Sequence, residues 1–215
     1  MIGCVRLYLS SYQLGNHPEL FSALVRGERR GWVVMNALDG LDNARRIADT
    51  QTQIDNLASI GLIAENLDLR DLTPSEIRDV FGQPDFVWVR GGNVFTLRMA
   101  MARSGLDDVI VEGLATDDFV YAGFSAGPCV LAPSLAGLEL CDSPSDCRAV
   151  YGDVRFDGLA VLDRPVVPHL CSPAHPETEI LATVAARYET ERRPFWALRD
   201  GQALIVDGST SRIRS

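Results

Sequence analysis

The stretch VYAGFSAGPCV, residues 120–130, sets Ser125 between two glycines, where one apolar run ends and another begins. A strand–turn–helix elbow holds its nucleophile in a strained backbone conformation. It needs small residues two before and two after so that strand and helix approach closely. Gly123 and Gly127 hold those offsets. The same spacing also fits an ordinary strand-to-helix turn with Ser125 as N-cap. A serine hydroxyl needs a base at neutral pH. His17 and His175 each precede a proline at the start of a helix-like segment, where a capping or surface role is expected. His169 follows RPVVP at the end of an apolar strand, from which a side chain reaches over the carboxyl edge of a sheet. It is the well-placed base.

The base needs an orienting carboxylate. Glu139, Asp142, Asp146, Asp153, Asp157 and Asp163 lie between the serine and the histidine. Asp142 and Glu139 are on the segment leaving the elbow and are expected to fold back over it, giving the chain order Ser, acid, His. An oxyanion needs two donors. The elbow supplies the N–H of Ala126. The segment VRGGN supplies the second: Gly91 and Gly92 carry no side chain to block a substrate, and Asn93 opens a helix whose N-terminus favours developing negative charge. A tight turn requiring positive φ explains the glycine pair equally well.

These residues must be positioned by a scaffold, and the chain alternates strand-like and helix-like segments. CVRLYLSS, GWVVMNAL, LIAENLDL, DFVWVRGG and DFVYAGFS read as strands. Between them fall helices: one beginning at PELFSAL, and a long one over LDNARRIADTQTQIDNLASIG, with Ile47, Ile54, Leu57 and Ile60 at helical spacing. TPSEIRDVFG has Thr73 as N-cap, Pro74 behind it, Glu76 three on and Gly82 as stop. NVFTLRMAMARSG is a further helix. Such alternation implies α/β architecture, a mostly parallel sheet with helices on both faces and ligands beyond the strands' carboxyl ends. Residues 133–153 read as a long irregular loop, and PETEILATVAARYETE as an amphipathic helix. The tail from Pro194 reads as an antiparallel β-hairpin turning at Asp200-Gly201. No repeat or linker divides residues 1–215, so one domain is expected.

Composition narrows the function. The net charge is −9 and all twenty basic residues are arginine. No nucleic-acid or membrane partner is expected, and lysine Schiff-base or P-loop chemistry is excluded. The five cysteines, Cys4, Cys129, Cys141, Cys147 and Cys171, form no C-x-x-C, so neither a disulfide framework nor a zinc ribbon is expected, and Cys4 and Cys129 read as core thiols. No signal peptide or bilayer-spanning stretch is read, and a cytoplasmic protein is expected.

LSSYQLG at 9–15, RGGNVFTL at 90–97, GFSAGPCVLAPS at 123–134 and VVPHLCSPAHPE at 166–177 resemble, in order, segments of the peptidase E family of serine peptidases. That family includes aspartyl dipeptidase and, more distantly, cyanophycinase. The resemblance implies a flavodoxin-like three-layer sandwich similar to the class I glutamine amidotransferase domain. It implies Ser125 as nucleophile, His169 as base, and an oxyanion donor at Gly92 beside that of Ala126, with Gly91 and Asn93 contacting substrate. CDSP at 141–144 matches the family's acid loop and points to Asp142, with Glu139 as the alternative. The expected activity is hydrolysis of short peptides, dipeptides with an acidic first residue included, by a monomer or homodimer with no metal and no cofactor. HLCSPAHPE lacks the arginine that reads aspartate in the dipeptidase, so strict aspartate specificity does not carry over. A cyanophycinase-like hydrolase and a non-catalytic amidotransferase-like binding domain are the rival readings. A glutaminase would carry Cys at the elbow, and Cys129 lies a helical turn beyond it.

Overall fold

The computed structural model describes residues 5–215; the expected Cys4 core thiol lies outside them. In chain order the elements are β1 (Arg6–Ser10), α1 (Pro18–Leu24), β2 (Arg30–Val34), α2 (Asn43–Ser59), β3 (Ile63–Asn66), α3 (Ile77–Phe81), β4 (Phe86–Val89), α4 (Val94–Ser104), α5 (Leu106–Ala115), β5 (Val120–Phe124) and α6 (Ala126–Cys129). Then follow α7 (Pro144–Tyr151), β6 (Val166–Val167), α8 (Thr178–Thr190), β7 (Trp196–Ala197), β8 (Ala203–Asp207) and β9 (Thr210–Arg214). The main sheet has the order β3-β2-β4-β5-β1-β8-β9. Its first five strands in that order are parallel, while β8 and β9 run antiparallel.

Strand side chains alternate between faces, so each strand feeds two cores. Leu7, Leu9, Val87, Val89 and Tyr121 pack with α3 to α8, while Tyr8, Phe86, Trp88, Ala122 and Phe124 pack with α1 and α2. Both sheet faces are thus covered by helices, as the alternating sequence predicts. Fully burying one such side chain contributes roughly 1.5–3 kcal/mol.

Three local expectations are corrected. Ile47 is 62% exposed, and the inward face of α2 carries Arg46, Gln53 and Leu57. Gln53 is buried because its Oε1 accepts the Trp88 indole N–H at 3.0 Å, which an isoleucine could not do. The 133–153 segment is not wholly irregular. It contains a 3-10 turn at Leu138–Leu140 and the helix α7, capped by Ser143, started by Pro144 and ended by Gly152 at φ +77°. The C-terminal hairpin is β8–β9, turning after Asp207. Asp200-Gly201 instead links β7, which pairs in parallel with β6, to β8 in the main sheet. The chain holds Asp-Gly at both 200–201 and 207–208, and a turn dipeptide does not say which flanking strands pair with each other. Among the described residues no helix is long and apolar enough to cross a membrane.

Candidate active site

Three adjacent strands of the main sheet, β4, β5 and β1, end side by side, and each delivers one part of the site. β5 ends at Ser125, whose φ of +54° and ψ of −111° mark a strained elbow rather than an ordinary cap. Its side chain caps nothing. The close approach that the elbow needs is visible at its glycines: a Cβ on Gly123 or Gly127 would lie 2.4 or 2.5 Å from the Val89 carbonyl oxygen.

β4 ends in Arg90-Gly91-Gly92-Asn93. A Cβ on Gly91 would meet Ser125 Cβ at 2.6 Å, so this turn lies against the serine. Gly92 has φ +141°, and a side chain there would also strike Ala37. Asn93 caps α4 by accepting from Phe95 and Thr96 N–H, and its amide donates to the Ser143 carbonyl at 2.9 Å. The backbone N–H groups of Gly92 and Ala126 donate to no acceptor among the described residues, so two donors beside Ser125 remain available.

His169 lies just past β6 and is buried to 1% exposure. Its φ of +56° is unusual for a side-chain-bearing residue. A knot of hydrogen bonds holds it there: its N–H donates to Ser11 Oγ at 2.8 Å and its carbonyl accepts from Thr178 Oγ1 at 2.7 Å. The carboxylate on its ring is Asp200, with Oδ1 2.6 Å from Nδ1. Ser11 Oγ donates to the same Oδ1 at 2.8 Å, and Asp200 N–H donates to Ser172 Oγ at 2.8 Å. Burial pushes the His169 pKa below its usual 6.5, against the opposing pull of Asp200. Tyr12, just past β1, sets its ring edge-on against Phe124, His169 and His175.

The carboxylate that contacts the imidazole is therefore neither of the two that the sequence suggests. Asp142 Oδ2 accepts the Val94 N–H at 2.8 Å, serving the first turn of α4 instead of the imidazole. Burial raises its pKa to about 7, with Glu177 adding to the rise and the Val94 N–H opposing it. Glu139 faces elsewhere, accepting from Arg187 Nη1 at 2.8 Å and from the Gly137 N–H at 2.5 Å. Although burial pushes its pKa up, these bonds hold it below the usual value. Neither carboxylate bonds His169 among the described residues, because the segment carrying them is spent on capping α4 and packing against α8. Asp200 was hidden in sequence by its own Asp-Gly turn signal, and Ser11 by lying in a plain strand end. His175, expected at the surface, stacks flat on His169 with ring centroids 3.5 Å apart.

The profile of "Peptidase family S51" matches residues 47–214. The chain belongs to peptidase family S51. An uncharacterised peptidase of Listeria monocytogenes is 28% identical over 152 residues, 71% of each chain. Peptidase E of Streptomyces coelicolor is 30% identical over 133 residues, covering 59% of this chain and 50% of that protein. In fold the chain is similar to the crystal structure of a candidate peptidase E from Listeria monocytogenes, with a TM-score of 0.81, 23% identity and 98% of both chains covered. As an S51 member it is a peptidase.

Proposed function

We propose that the protein is a serine-type peptidase that hydrolyses short peptides through an acyl-enzyme, with Ser125 as nucleophile, His169 as base and Asp200 as the orienting acid. The observation that carries this reading is the pairing of a positive-φ serine elbow with a buried histidine whose Nδ1 is bound by a carboxylate. Ser125 Oγ attacks the peptide carbonyl carbon, and its proton passes to His169 Nε2, the nitrogen that Asp200 leaves unbound. The N–H groups of Gly92 and Ala126 receive the oxyanion, with Gly91 and Asn93 shaping the turn beside it. The imidazolium then protonates the leaving amine, and water, deprotonated by His169, releases the acid product and free serine.

Cys129, Cys141, Cys147 and Cys171 are free thiols, in keeping with a cytoplasmic setting. A dipeptide library screened on wild type and Ser125→Ala, alongside labelling with a fluorophosphonate, tests the proposal. The expected outcome is turnover that falls by ~10⁴–10⁶ in the variant, with stoichiometric labelling of wild type at Ser125 alone. Turnover that survives in a contaminant-free Ser125→Ala preparation would overturn the serine mechanism.

A further inference from the structure

The mouth of the site holds more ligating side chains than serine chemistry uses. His169, His175 and Glu177 bring one ligand atom each to within 4.8 Å of one another, and so do Cys141, Asp142 and Glu177, which share that glutamate. We propose that His169, His175 and Glu177 form a reversible Zn²⁺ site over the catalytic base, and that the ion silences the enzyme while bound.

Two imidazoles and one carboxylate are a ligand set that zinc takes with a fourth position left to water. His169 is already prepared as a ligand. Its Nδ1 is committed to Asp200, which leaves the Nε2 lone pair without a hydrogen-bond partner among the described residues, and a carboxylate behind a ligating histidine is the usual orienting arrangement at zinc. His175 and His169 lie parallel, so their lone pairs converge only if one ring turns. His169 is buried and tied, whereas among the described residues the His175 ring makes one long hydrogen bond, 3.3 Å from the Glu177 N–H, and is otherwise held by ring contacts with His169 and Tyr12 in a partly exposed loop. His175 is the ring that turns. The carboxylates of Asp142 and Glu177 lie close together, and a cation beside Glu177 relieves their repulsion. The consequence for catalysis follows from one electron pair: the Nε2 lone pair that would accept the Ser125 proton is the one given to the metal.

The inhibition rests on the serine-peptidase reading, whereas the binding does not. Zn²⁺ alone is titrated into metal-free wild type and into Ser125→Ala against a chromophoric chelator, and hydrolysis by wild type is followed in parallel. Expected are one ion bound by both proteins, loss of hydrolysis in step with occupancy, and recovery on adding EDTA. His175→Ala and Glu177→Gln should each weaken binding at least ~10-fold. With Co²⁺ as probe, the nitrogen–oxygen set gives visible bands without a thiolate-to-metal charge-transfer band. A charge-transfer band abolished by Cys141→Ser would put the ion on the neighbouring cluster and overturn the assignment. Failure of either protein to bind, or binding that leaves hydrolysis unchanged or faster, overturns the proposal. If wild type hydrolysed nothing, the serine-peptidase reading would fall, and the titrations and the Co²⁺ spectrum would still decide the metal site.

Discussion

Asp200 Oδ1 lies 2.6 Å from His169 Nδ1, and the contact follows from the pairing of two short strands. β6 and β7 run parallel with Val167 opposite Ala197, and the Leu170 N–H bonds the Leu198 carbonyl. The two chains therefore leave the small sheet side by side, one carrying the imidazole and the other the carboxylate. Asp200→Asn should lower kcat by ~10²–10⁴, since an amide neither fixes the tautomer nor stabilises the imidazolium. Glu139→Gln should leave kcat within a few-fold, because its partner is Arg187. Steady-state kinetics of both variants on one substrate checks this, with circular dichroism to confirm folding.

The glycines before the oxyanion position make a second, steric prediction. Gly91→Ala would force a Cβ to within 2.6 Å of Ser125 Cβ and 3.0 Å of the Phe124 carbonyl oxygen. Displacing the elbow by a fraction of an ångström should lower kcat by ~100-fold. Gly152→Ala is the control: its φ is +77° but nothing lies within 4 Å, so only backbone strain of about 1 kcal/mol is added. Thermal melts should show a small loss for Gly152→Ala, with kcat unchanged.

Much of this architecture was legible from residue patterns. The central parallel strands are apolar runs bounded by turn residues, and the elbow glycines carry a local steric requirement, so both leave marks in neighbouring positions. The carboxylate beside His169 left no such mark. Asp200 lies 31 residues beyond His169 and 75 beyond Ser125, and its contact with the imidazole depends on β6–β7 pairing, which two-residue strands do not announce. Asp142 is the sequence expectation because it follows the serine at a suitable distance, and a helix cap next to the Gly91-Gly92 turn uses the same residue type as a triad acid. His175 offered only a proline-adjacent loop position, and its contact with His169 depends on the turns that Ser172 and Thr178 close.

Asp142 should reveal its role through stability. Its pKa is raised to about 7 from 3.8, so the folded state holds its proton more tightly than the unfolded chain. That stabilising contribution is present in full below 3.8 and is lost as pH rises through about 7. Asparagine still accepts the Val94 N–H and carries no charge. Asp142→Asn should therefore match wild type at about pH 4 and exceed it by roughly 1–3 kcal/mol at about pH 8.5. Denaturant melts at both pH values measure the difference, and a loss of stability at the higher pH would contradict the assignment.

His169 sets the acid limb of the activity profile. Only the neutral imidazole accepts the Ser125 proton, so activity falls as pH drops through the His169 pKa. Burial lowers that pKa below 6.5 while Asp200 raises it, so the midpoint of the kcat/KM profile should lie below 6.5. In Asp200→Asn the raising partner is gone, and the residual activity should show a midpoint shifted further down. Stability follows the same sign. A depressed folded pKa means that the unfolded chain binds the proton first, so the contribution is whole above 6.5 and is lost as pH falls through the lower folded value. Wild type should accordingly lose more unfolding free energy than His169→Gln between about pH 7.5 and pH 5. A kcat/KM midpoint above 6.5 that Asp200→Asn leaves in place would mean that another group carries the proton.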